Sequence, residues 1–139
     1  MGEILFRGQT RRKGEYTVNM AQKECDSNWV YGGIFPQNNG GSKAIIYQQY
    51  PEIKKFVVYA DTVGQYTGTP DKNKNKIFEH DIVKAFKNND EPFVAVVTKR
   101  NGCFWFGNWN WCEFLDKFRN YEVIGNVFDN PELVKGGAE

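Results

Sequence analysis

At 139 residues, the chain is long enough for one domain and short for two independent ones. Hydrophobic residues make up 40% and charged residues 25%, which excludes a disordered chain, and a formal charge of +1 lacks the surplus of a strongly basic nucleic-acid binder. No apolar run approaches the roughly 18 residues of a membrane span, so a soluble, cytoplasmic protein without membrane contact is expected.

The aromatic fraction of 16% favours strands, where flat rings pack on a pleated surface. Met1 to Phe6 reads as neither a secretory leader nor a myristoylation signal, since Phe6 stands where the latter needs Ser or Thr. Ile4 to Arg7 is expected as a first strand, running into a polar turn over Gln9 to Gly14. Tyr16, Val18 and Met20 alternate as a strand would. Trp29 to Phe35 is apolar and aromatic, with Gly32-Gly33 predicting a bend or bulge. Pro36 to Ser42 is the clearest loop.

Lys43 to Gln49 and Lys54 to Ala60 read as two further strands, with Val57-Val58-Tyr59 supplying β-branched and aromatic side chains. Asp61 to Asn75 is rich in Gly, Thr, Pro, Asp and Asn and is expected to be a connection. It divides a single domain into a β-rich part over 1–60 and a second part over 61–134, with 135–139 a loose tail. Ile77-Phe78 and Ile82-Val83 flank the polar Glu79-His80-Asp81. Phe93 to Lys99 is strongly β, and Asn101-Gly102 is a hairpin signal leading to Cys103 to Gly107. Trp109 to Phe118 is either one short helix or an aromatic loop, and Tyr121 to Phe128 is a last strand stopped by Asn130-Pro131. Several short strands with turns at close spacing predict a mostly-β fold with little helix, a small barrel or sandwich.

Cys25, Cys103 and Cys112 form no CxxC pair, and small buried thiols in a reducing compartment are expected.

From Val63 onward the pattern is more specific than composition. Gly64-Gln65-Tyr66-Thr67-Gly68 is followed by Asp71-Lys72-Asn73, then Ile77-Phe78-Glu79 and Asp81-Ile82-Val83. Ile124-Gly125-Asn126-Val127-Phe128 and Asn130-Pro131-Glu132-Leu133 stand near the end. These segments, with Ile4-Leu5-Phe6-Arg7-Gly8, resemble the YopX family, small proteins encoded by phages and prophages of low-GC bacteria. The resemblance implies a mostly-β fold, with a small barrel-like (SH3-like or pseudo-barrel) C-terminal half behind a β-rich N-terminal part, and carries over no catalytic residue, ligand or cofactor. Two positions depart from the family pattern, since Lys74 and His80 stand where it has glycine. Glycine permits positive φ at no steric cost, so the replacements imply either a differently shaped turn or a strain cost.

Several groups of residues are candidates for chemistry. His80 between Glu79 and Asp81 has the composition of a general base or part of a metal site, yet neighbours on an extended chain point to opposite faces. A structural role fits better: Gly64, Thr67, Gly68, Asp71, Glu79 and Asp81 as turn residues whose carboxylates and hydroxyl accept backbone N–H bonds. The lysines of Asp71 to Lys76 argue against a calcium loop. Trp105, Trp109 and Trp111, with Lys99 and Arg100, form a candidate interaction surface.

Three functions compete. The first is a non-enzymatic phage accessory protein that binds itself, as a homo-oligomer, or a host or phage protein. The second is a single-strand nucleic-acid module built on the tryptophans, Lys99 and Arg100. The third and weakest is an enzyme around Glu79, His80 and Asp81, since no GxSxG, P-loop or HExxH motif is present. No cofactor, metal or small-molecule substrate is evident.

Overall fold

The computed structural model of the chain describes residues 4–12, 28–35, 42–48, 52–88 and 91–134. The expected strand around Tyr16 to Met20, most of the Pro36 to Ser42 loop, Cys25 and the 135–139 tail lie outside the described residues. Eleven strands and one short α-helix make up the regular structure of the described residues, so the chain is mostly β. It divides into two compact units, Glu3–Gln65 and Tyr66–Glu139.

In the first unit, β1 (Phe6–Arg11), β2 (Asn28–Phe35), β3 (Lys43–Gln48) and β4 (Lys54–Tyr59) form an antiparallel meander. β1 is longer than its apolar residues predict. Gln9 and Arg11 stay in the strand because they pair with Trp29 and Asn28, and the bulge falls between them. Gly32 and Gly33 keep their register instead of bulging. Their missing side chains admit Tyr47, whose ring atoms would stand 2.6 Å from a Cβ on Gly33. Val30, Ile46 and Val58 form the core, with Phe6, Ile34, Ala44, Phe56 and Val63 packed on it. A short 3-10 turn over Ala60–Thr62 ends the meander. Its Thr62 hydroxyl donates to the Tyr59 carbonyl at 2.6 Å and accepts the Gln9 N–H at 2.9 Å.

The expected connection over Asp61 to Asn75 contains a strand, β5 (Gly64–Pro70), and the boundary between the units falls inside it. Propensity reads its Gly, Thr and Pro as loop, but ladder partners override a weak local preference. Gly64 and Gln65 pair with Arg7 and Phe6 of β1, while Tyr66 and Pro70 pair with Phe78 and Lys76 of β6 (Lys76–Phe78).

The second unit also holds β7 (Asp81–Phe86), β8 (Phe93–Arg100), β9 (Cys103–Phe106), β10 (Trp109–Asn110) and β11 (Arg119–Asn126). They form an antiparallel sheet in the order β10-β9-β8-β7-β11. Asn101 (φ 53°) and Gly102 (φ 81°) make the β8–β9 turn, with the paired positive φ values of a type I′ hairpin. The sheet is open, with β10 and β11 at its ends, so the barrel-like half does not close. The chain passes from β10 to β11 through α1 (Trp111–Lys117), which settles the ambiguous aromatic segment as helix. The Asn110 side chain caps it by accepting the Glu113 N–H at 2.9 Å. Phe114 of α1 and Phe118 then pack with Ile77, Val83, Ala85, Val97 and Phe106 in one core.

Cys103 and Cys112 are free thiols and exposed, contrary to the expected burial. Cys103 stands beside the hairpin turn opposite Arg100, and Cys112 lies on the outward side of α1, away from Phe114.

Candidate functional site

Two buried carboxylates organise the turns of the second unit. Asp71 Oδ1 accepts the N–H groups of Asn73 at 2.8 Å and Asn75 at 2.9 Å, which closes its own loop. Its Oδ2 accepts the Val123 N–H at 2.9 Å, while the Lys72 N–H donates to the Tyr121 carbonyl at 3.0 Å. The loop therefore covers part of the outer edge of β11, where unpaired backbone groups would otherwise invite another strand. Asp81 Oδ2 accepts the Phe78 N–H at 2.7 Å and holds the Glu79-His80 turn closed.

Thr67 donates to the Ile77 carbonyl at 2.9 Å and accepts the Thr69 N–H at 3.2 Å. Gly68 takes φ 90° in the middle of β5, and Gly64 sits in the first unit opposite Arg7. Lys74 (φ 69°) and His80 (φ 80°) both adopt the left-handed backbone that the family's glycines would allow. His80 rests edge-on against Phe128 with centroids 5.2 Å apart, and its Nε2 lies 3.7 Å from Glu79 Oε2. Glu79, His80 and Asp81 do not converge, because the Asp81 carboxylate turns inward to Phe78. No cluster of His, Cys, Asp and Glu that could hold a metal occurs among the described residues.

The five residues of the expected aromatic and basic surface do not share one face. Strand alternation and register put Val97, Lys99, Phe104 and Phe106 on the core side of β8–β9, and Val96, Thr98, Arg100 and Trp105 on the other. Trp109 packs edge-on to Phe118, with centroids 5.4 Å apart. Trp111 lies 4.7 Å from Phe114, and its Nε1–H donates to the Thr69 hydroxyl at 3.2 Å. Both are therefore core components. Lys99 approaches Phe104 on that same side, at 5.6 Å from the ring centroid.

Trp105 and Arg100 remain together on the outer side. The Arg100 guanidinium lies 4.2 Å from the Trp105 ring centroid, and its Nη2 donates to the Gly107 carbonyl at 3.2 Å. The Trp105 Nε1 is buried with no hydrogen-bond partner. Beside them a groove of about 410 Å³ is lined by Val96, Thr98, Arg100, Gly107 and Asn108, among others. Gly107 (φ 58°) and Asn108 are the site residues the sequence reading missed. The Gly-Asn pair after Phe106 was the available turn signal.

A family model described as "YopX protein" matches residues 9–135. The crystal structure of protein EF1440 from Enterococcus faecalis aligns with 97% of this chain and 100% of its own, at a TM-score of 0.53 and 19% identity. At that identity the likeness is one of fold. No curated protein matches the chain significantly. No helix among the described residues is long and apolar enough to cross a membrane.

Proposed function

This chain belongs to the YopX family, and on that premise we propose a non-enzymatic accessory protein of phage or prophage that works by protein–protein contact in the cytoplasm of its host. The observation that carries the reading is the Arg100–Trp105 pair beside the groove on the outer side of β8–β9. Arg and Trp are the residue types that most often dominate binding energy. Here the guanidinium is held in advance by the ring and the Gly107 carbonyl, which lowers the entropy lost on binding. The partner is either a host or phage protein or a second copy of the chain.

The test is affinity purification from a low-GC bacterial host with and without nuclease. A protein retained after nuclease and lost in both Arg100→Ala and Trp105→Ala, with near-native circular dichroism, supports the proposal. Equal retention by all three forms would sink it. Sedimentation velocity of the purified chain tests the self-association branch.

A further inference from the structure

A second surface, independent of the β8–β9 groove, lies on the first unit. Register and alternation put Tyr31 and Gly33 of β2, Lys43, Ile45 and Tyr47 of β3, and Lys55, Val57 and Tyr59 of β4 on the side opposite the Val30–Ile46–Val58 core. Tyr31 is 42% and Val57 58% exposed, so this side is open to solvent around them. Tyr47 lies over the bare backbone of Gly33. Tyr31, Gly32, Gly33 and Tyr47 line a groove of about 510 Å³.

The charge is one-sided. β3 and β4 carry no carboxylate, and Lys43 and Lys55 stand on this side, while Lys54, opposite Gln48, stands on the other. Tyr59 stands between two cations, with the Arg12 guanidinium 4.0 Å and the Lys43 ammonium 4.5 Å from its ring centroid. The nearby carboxylate of Asp61 is engaged by Arg12 at 2.8 Å.

We infer that this face is a platform for single-stranded nucleic acid, with Tyr31 and Tyr47 stacking bases and Lys43 and Lys55 meeting phosphates. Aromatic rings on a sheet face stack bases of any sequence, because every base has a π face. Cations beside the rings track the backbone. A single strand brings both π faces and negative charge to a face that carries tyrosine rings, cations and no carboxylate on β3 or β4. The overall charge of +1 does not oppose this, since the cations gather locally.

Fluorescence anisotropy of a labelled oligo(dT), read with the full chain at several salt concentrations, tests the assignment. Two lysine–phosphate contacts predict a fall in affinity of roughly sevenfold between about 50 and 200 mM salt. Tyr31→Ala should weaken binding by about tenfold, whereas Tyr31→Phe, which keeps the ring, should stay within about twofold. Lys55→Glu should weaken it at low salt, and Arg100→Ala should leave it unchanged, which separates this surface from the β8–β9 groove. No binding at low salt, equal competition by duplex DNA, or indifference to Tyr31→Ala and Lys55→Glu would each overturn the inference. So would a dimer broken by Val57→Lys, which would give the face to a second copy.

Discussion

The Asp71 carboxylate accepts the backbone N–H of Val123 across 52 residues of sequence, at 2.9 Å. With the Asn73 and Asn75 N–H groups on its other oxygen, one buried side chain satisfies three backbone donors. A carboxylate suits this post because it offers only acceptors, and its charge strengthens each bond.

Removing that carboxylate leaves three backbone donors without their acceptor. Asp71→Ala should therefore lower the unfolding free energy by about 3 kcal/mol. Asp71→Asn, which keeps one carbonyl oxygen, should lose less. Urea denaturation followed by tryptophan fluorescence measures both, and a loss under about 1 kcal/mol for Asp71→Ala would contradict the clamp.

Lys74 and His80 hold positive φ values that side chains with a Cβ adopt at a cost. Lys74 is exposed, so Lys74→Gly should stabilise by about 0.5–1 kcal/mol, the relief of strain exceeding the entropy added to the unfolded chain. His80→Gly should gain less, because it gives up the ring contact with Phe128. The measurement is the urea midpoint at unchanged m-value. A lower midpoint for Lys74→Gly would mean that the turn is not strained.

Gly8 faces the core beside Val58, and a Cβ added there would come within 2.8 Å of Val58 Cγ2. Gly8→Ala should cost about 2 kcal/mol by overpacking. In a double-mutant cycle with Val58→Ala the two losses should be less than additive, because the smaller side chain leaves room for the new methyl. Additive losses would place the strain elsewhere.

The residues of the expected aromatic and basic surface should separate by role. Trp111→Ala removes a ring packed on Phe114 and a hydrogen bond to Thr69, and should cost about 3 kcal/mol. Arg100→Ala acts at an exposed side chain and should cost under about 1 kcal/mol. Thermal melts of the two variants compare them directly; similar losses would argue against the division of that surface between core and outer face.

Arg12 makes paired hydrogen bonds to Asp61 at 2.8 and 3.2 Å, which raise its guanidinium above its ordinary, already very basic value. A base whose folded pKa is raised contributes stability below its unfolded pKa and loses it only as pH rises through the folded one. For arginine that window lies far above pH 9, so titration of Arg12 adds no slope to stability between about pH 5 and 9. The pair is largely exposed, so Arg12→Ala should cost under about 1 kcal/mol, and less at high salt. A loss that grows with salt would show that the pair acts through something other than its charge.

Much of the fold was legible because strand signals are local. The Val57-Val58-Tyr59 run, the Phe93 to Lys99 run and the Asn101-Gly102 hairpin all stand where β-branched residues and turn chemistry put them. β5 was not legible, since Gly64 to Pro70 has the composition of a loop and becomes a strand through partners on β1 and β6. Tyr31, Tyr47 and Tyr59 fall in three separate expected strands, and nothing local aligned those strands with one another.

The sequence by itself determined the strand-rich composition, most strand positions, and the family, through short segments whose turns need particular residues. It also marked Lys74 and His80 as standing at glycine positions, while φ values of 69° and 80° required the folded backbone. Tertiary structure alone decided which aromatic residues are core. Neighbouring tryptophans in sequence are parted by the β10–α1 corner and by the two-residue pleat, which send Trp109 and Trp111 inward and Trp105 outward. It likewise decided that Asp71 serves Val123, because a hydrogen bond over 52 residues depends on where distant strands meet, and local propensity holds no record of that.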